Sequence, residues 1–190
     1  MTAVKTNVLP KIEWVPTEAK GARNGSRVQR VVLHTWGGRF TTERAEAISY
    51  GGVIAEFKNP ANEASSHFVF PGSAVPNEIT QMVRYADYAW TQAAYNPTSV
   101  EIECADAIWQ GHDPDGLKQL AHIVGFLLHK YRLPPVWSMD RGFCRHGDLG
   151  MAGGGHTVCP LALPSHLWRG FIKDVQANYK RGGYRKTWGR

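Results

Sequence analysis

The chain has no apolar run approaching the roughly 18 residues that cross a bilayer, so no spanning helix and no stable membrane insertion are expected. Its opening stretch, "MTAVKTNVLPKIEWVPTEAKGARNG", lacks a continuous apolar segment and does not read as a secretory signal. Cysteines number only three, Cys104, Cys144 and Cys159, at irregular spacing. That argues against a disulfide framework and leaves buried thiols or metal ligands. There is no internal repeat and no compact H-x-x-x-H or C-x-x-C pair, and "GMAGGGHT" lacks the lysine of a phosphate-binding loop. A net charge of +6 favours acidic partners, yet no basic helix or stacking platform accompanies it, so nucleic acid is not an expected partner.

What is present is an ordinary globular composition. Of 190 residues, 43% are hydrophobic and 20% charged, enough for one domain with a real core and too apolar for wholesale disorder. Residues 1–27, with Pro10, Pro16, Gly21 and Gly25, read as an extended lead-in, and 28–179 as the domain proper. Residues 180–190 form a basic tail whose Lys180, Arg181, Arg185, Lys186 and Arg190 meet no acid; it reads as a frayed terminus or as a grip on a polyanion.

"RVVLHTWGGR" reads as a buried strand that ends at His34 and breaks at Gly37-Gly38. "TERAEAISYGGVIAEF" suits a helix capped by Thr42, with a break expected at Gly51-Gly52. "SSHFVF", "EITQMVR" and "TSVEIEC" read as strands. "DGLKQLAHIVGFLLHKYRL" places apolar residues three and four apart and predicts a helix started by Asp115 and stopped by Pro134-Pro135. A closing helix is expected from about Ser165 to Tyr179. A mixed central β-sheet flanked by helices, an α/β single domain, accommodates these elements.

Of eight histidines, His34, His67, His146 and His156 lie at strand ends or in loops, where ligands are usually displayed. A glycine-rich loop leads from His146 to "HTVCP", so an imidazole and the Cys159 thiolate can close on one point. With His34 they would make a three-ligand site of the kind in which zinc keeps a fourth position open. By spacing alone His156 competes with His146, being three residues from Cys159. In "SVEIEC", period two puts Ser99, Glu101 and Glu103 on one face and Val100, Ile102 and Cys104 on the other.

"VVLHTW", "SSHFVF", "NPTSVEIEC", "RHGDL" and "HTVCP" occur in the order and at roughly the separations of the type 2 N-acetylmuramoyl-L-alanine amidases, and residues 29–175 resemble that family. The resemblance implies a Zn2+ cofactor on His34, His146 and Cys159, and it favours His146 over His156. It implies peptidoglycan as substrate, cleaved at the amide between N-acetylmuramic acid and L-alanine. Glu103 falls on the glutamate that serves as general acid/base in several members, and Thr157 where relatives place a donor to the developing oxyanion. Glu101 stands where the family usually has glycine, and is expected to be solvated or to face substrate. Trp36, Trp90 and His67 are further candidates near the substrate, His67 equally reading as a group that orients the site or as a buried structural imidazole. Tyr85, Tyr95 and Trp109 are aromatics suited to lining the groove, each of which taken alone reads as core or rim packing.

A monomeric phage or prophage lytic enzyme is the expectation, held in the host cytoplasm until the membrane is breached and then acting on the cell wall. Two alternatives compete. One is a wall-binding module without catalysis, against which the retained Cys159 argues. The other is a glycan-cleaving muramidase using Glu101 and Glu103 as its carboxylate pair.

Overall fold

The computed structural model describes residues 8–36, 43–155, 158–160, 163–182 and 188–190, excepting the side chains of residues 43–48. The alternating segment "SVEIEC" forms β7 (Ser99–Cys104), inside a six-stranded sheet. The sheet runs β1 (Lys11–Trp14), β5 (Glu78–Gln81), β4 (Phe68–Phe70), β7, β3 (Arg30–Thr35), β8 (Gly142–Arg145). β4, β7, β3 and β8 are mutually parallel, β5 runs antiparallel to β4, and β1 follows β5. A small second sheet pairs β2 (Lys20–Ala22) with β6 (Asp87–Ala89).

Four helices are present among the described residues: α1 (Glu43–Lys58), the single turn α2 (Asp106–Trp109), α3 (Pro114–Tyr131) and α4 (Ser165–Arg181). α3 and α4 cover one face of the sheet, where Val31, Leu33, Val100 and Ile102 meet Leu120, Ile123, Val124, Leu127, Phe171 and Val175. The opposite face is covered in two patches. Tyr50, Val53, Ile54 and Phe57 of α1 pack with Val69 and Met82, whereas Leu149 and Tyr95 pack with Val32 and Cys144. Between these patches the same face of β3 and β7 carries His34, Glu101 and Glu103.

Several local expectations change. α1 runs unbroken through Gly51 and Gly52; packing of its apolar side on the sheet overrides the propensity cost of the glycines. α3 is capped by Asp113, not Asp115: Asp113 Oδ1 accepts from the Gly116 N–H at 2.8 Å, and its carboxylate also accepts from Ser73 N at 2.7 Å. The lead-in is extended, but it supplies β1 and β2. The end of the basic tail is docked. Trp188 stacks on Phe68, its indole N–H donates to Pro10 O at 2.8 Å, and Arg190 N donates to Gln81 Oε1 at 2.8 Å.

Candidate metal centre

His34 lies at the carboxyl end of β3, one residue before the strand ends, and is 2% exposed. The Trp109 indole N–H donates to the His34 carbonyl at 3.1 Å, which ties this strand end to α2. His146 directly follows the parallel strand β8 and begins a 3-10 segment, His146–Gly153. That segment is pinned by Asp148, whose carboxylate accepts from Arg145 N at 2.9 Å and pairs with the Arg145 guanidinium at 2.7 Å. His146 Nε2 meets Gly153 O at 2.7 Å. A side chain at Gly153 would set its Cβ 2.5 Å from Leu149 Cβ, so only glycine lets the turn close this tightly. Cys159 reaches the same point because Gly147 N–H donates to the Cys159 carbonyl at 2.6 Å, a backbone bond joining the two ligand-bearing segments.

One ligand atom from each of His34, His146 and Cys159 lies within 4.8 Å of the others. Cys159 Sγ is 3.9 Å from His34 Nδ1, and the two imidazole centroids are 4.5 Å apart. Tetrahedral zinc with ordinary Zn–S and Zn–N bonds sets sulfur and nitrogen about 3.6 Å apart, so the spacing fits a single cation with little movement. The donor set suits zinc: two imidazoles and a thiolate are borderline-soft ligands. Burial pushes the Cys159 thiol up to about 12, and the neighbouring Glu103 and Asp106 carboxyls push the same way, against a lowering contribution from the Thr35 backbone. A divalent cation reverses that balance, because a coordinated thiol loses its proton.

Glu103 is the register partner of His34 across the parallel β3–β7 pair and is 6% exposed. Burial pushes its carboxyl up to about 8, with Asp106 and then Glu56 adding repulsion. Asp106 was not singled out from the sequence. It is fully buried and accepts a hydrogen bond from the Thr35 hydroxyl.

Glu101 does not face solvent or substrate. It is 0% exposed, its Oε2 pairs with His67 Nδ1, and its Oε1 accepts from Gln92 Nε2 at 2.8 Å. His67 is likewise fully buried and cannot reach a substrate. A Glu101/Glu103 pair flanking a sugar is thereby ruled out, since Glu101 is committed on both oxygens. Tyr85 and Trp109 leave the list of groove aromatics: Tyr85 packs on Phe68 and Tyr131, and Trp109 is buried against Trp168 and Phe171. Tyr95 is half-buried beneath the Arg30 guanidinium. Trp36, two residues beyond His34, is half-buried, and its indole N–H has no hydrogen-bond partner among the described residues. Trp90 borders an open groove of about 520 Å³ with Glu63, Tyr88, Thr91, Ala93 and Asn96. A larger concavity of about 750 Å³ lies by the start of β3, is lined by Arg23, Arg27, Lys130, Arg132 and Arg141, and contains none of the three ligands. It lies away from the centre where the reactive groups converge. His156 and Thr157 fall outside the described residues.

His34, His146 and Glu103 thus gather at the carboxyl ends of parallel strands, the usual ligand position in open α/β sheets. Fold and donor set define an α/β protein with three side chains placed so that they could hold one metal ion.

The particular family follows from comparison. The N-acetylmuramoyl-L-alanine amidase family matches residues 24–162, and the chain belongs to it. N-acetylmuramoyl-L-alanine amidase A of Achromobacter lyticus is 31% identical over 91 residues, covering 47% of this chain and 45% of that protein, so the match spans under half of that curated relative. The hydrolase AmiA of Staphylococcus aureus, solved with its ligand, shares 20% identity over 90% of this chain and 84% of its own, with a TM-score of 0.67. The Ph2119 endolysin of a Thermus scotoductus bacteriophage shares 15% identity over 87% of this chain and 99% of its own, with a TM-score of 0.56. At these identities the solved structures establish a common fold.

Proposed function

We propose that this protein is a zinc-dependent N-acetylmuramoyl-L-alanine amidase that hydrolyses the amide joining the lactyl group of N-acetylmuramic acid to L-alanine in peptidoglycan. The observation that carries the reading is the convergence of His34, His146 and Cys159 within 4.8 Å, beside a buried glutamate on the adjoining strand. Membership of the amidase family supports it independently.

His34, His146 and Cys159 hold the metal. A zinc ion there supplies Lewis acidity, polarising the scissile carbonyl and acidifying water. Glu103 takes the proton of the attacking water and later delivers it to the leaving alanine nitrogen. Its elevated affinity for a proton suits the delivery, and a nearby cation favours the ionised form needed for the first transfer. Thr157 is the proposed donor to the developing oxyanion, and Trp36 and Trp90 the proposed contacts to the glycan and stem peptide. Glu101 and His67 serve the site from beneath and not through substrate.

Residues 28–179 form the proposed catalytic unit, acting as a monomer on the bacterial wall after release from the host cytoplasm, as a lytic enzyme does. No helix among the described residues is long and apolar enough to cross a membrane. Digestion of purified cell walls followed by mass spectrometry tests the activity. New alanine amino termini, absent with Cys159→Ser, are expected; new reducing ends, or wall binding without cleavage, would overturn the reading.

A further inference from the structure

A continuous buried chain of hydrogen bonds leads away from the metal-facing imidazole of His34. His34 Nε2 lies 3.1 Å from Gln92 Oε1; Gln92 Nε2 lies 2.8 Å from Glu101 Oε1; Glu101 Oε2 pairs with His67 Nδ1; and His67 Nε2 lies 3.0 Å from an Arg23 guanidinium nitrogen. Arg23 is itself anchored to the carbonyls of Pro97 and Ser99, both at 2.6 Å. Gln92, Glu101 and His67 are all 0% exposed, and Arg23 is 7% exposed. Gln92, Glu101 and His67 lie where no substrate could touch them. Burying so many polar groups costs stability unless each is paired, so a purpose beyond packing is called for.

The direction of the chain follows from its chemistry. A carboxylate only accepts hydrogen bonds and a guanidinium only donates them. Glu101 Oε1 therefore takes the amide N–H of Gln92, which turns the amide oxygen toward His34. That oxygen can only accept, so His34 must carry its proton on Nε2. In the neutral ring the lone pair then resides on Nδ1, the nitrogen that lies 3.9 Å from Cys159 Sγ. From the other side the second oxygen of Glu101 can only accept, so His67 donates to it from Nδ1, while His67 Nε2 faces both the Arg23 guanidinium at 3.0 Å and the Asp87 carbonyl at 3.1 Å. From His34 through Gln92, and from His67 Nδ1, the protons point toward the Glu101 carboxylate.

We propose that Glu101, acting through Gln92, is a positioning residue that holds His34 in the Nε2–H tautomer and so presents Nδ1 to the metal. This rests on the amidase reading for the identity of the cation, though not for the tautomer. Such outer partners fix ring orientation and raise ligand basicity, and losing one typically weakens metal binding about 10- to 100-fold. The arrangement makes a charge-polarity prediction that packing alone does not make. Glu101→Gln lets the Gln92 amide turn over and aim an N–H at His34, whereas the exchange Glu101→Gln with Gln92→Glu restores an acceptor facing Nε2 and a donor behind it.

Two readouts test it on the full chain. Nitrogen-15 NMR of the histidine rings in metal-free protein reports the His34 tautomer, and competition with a chromophoric chelator reports the zinc dissociation constant. Wild type is expected to hold His34 protonated at Nε2. Glu101→Gln and the near-isosteric Gln92→Met are expected to lose that preference and to bind zinc about 10- to 100-fold more weakly. The exchanged double variant is expected to recover most of both. Circular dichroism confirms that each variant is folded, and Gln92→Met leaves the His67–Glu101 pair intact should Glu101→Gln fold poorly. An unchanged tautomer with zinc affinity within about threefold of wild type in both single variants would overturn the proposal, as would a double variant no better than Glu101→Gln. If wild type bound no zinc, the amidase reading would fall, and the tautomer measurement would still decide the role of Glu101.

Discussion

His34 and Glu103 stand opposite one another across the parallel β3–β7 pair, so their side chains leave the same face of the sheet on strands about 4.8 Å apart. The proposed metal ligand and the proposed proton carrier are thus set side by side by sheet register, with no loop between them. Rigid strand placement of this kind favours a fixed near-attack geometry.

Glu103→Gln is expected to retain zinc at one equivalent per chain and to lower kcat about 10²- to 10⁴-fold, with KM little changed. Metal analysis alongside wall-lysis kinetics measures both. Loss of zinc together with rate would move Glu103 from proton transfer to metal retention.

The same carboxyl makes a prediction about stability. Its affinity for a proton is raised from the ordinary 4.5 to about 8, so between those values the native state of metal-free protein holds a proton that the unfolded chain has released. Stability therefore falls as pH rises through this window. Relative to wild type, metal-free Glu103→Gln should melt at a similar temperature near pH 5 and at a progressively higher one toward pH 8 and above. A melting-temperature difference independent of pH would contradict the assignment.

Cys159 keeps its proton in the metal-free site, with burial pushing it up to about 12. Zinc binding at pH 7 should then release about one proton from this thiol. Calorimetry in buffers of different ionisation enthalpy, run on the Glu103→Gln background so that only the thiol contributes, counts it, and adding Cys159→Ser should abolish both the release and most of the affinity.

The docked end of the chain is expected to contribute to the fold. Trp188 stacks on Phe68, meets Phe126 edge-on and bonds to Pro10, so Trp188→Ala should cost about 3–5 kcal/mol. Chemical denaturation measures it. A frayed tail would give a loss within about 0.5 kcal/mol.

What could be read from the residues depended on range. The strand ending at His34 was legible because an apolar run stops against two glycines, and α3 because its apolar residues recur at helical spacing. The alternation of "SVEIEC" correctly separated the core face from the face of Glu101 and Glu103. Alternation says which face a residue takes but not what covers it, and so Glu101 was expected in solvent when His67 and Gln92 enclose it. Gln92 and Arg23 carried no local signal, since their partners lie 9 and 44 residues away in the chain. Trp109 and Tyr85 were open between groove and core for a related reason: an aromatic beside a motif looks the same in sequence whether it lines a groove or fills the core. α1 persists through Gly51-Gly52 because tertiary packing outweighs local propensity.

The central claim is that one zinc ion is held by His34, His146 and Cys159. X-ray absorption at the zinc edge of purified protein tests it most directly. One sulfur at about 2.3 Å with nitrogen or oxygen neighbours at about 2.0–2.1 Å is predicted, the sulfur disappearing in Cys159→Ser. A zinc shell without sulfur, or one unchanged by that substitution, would contradict it.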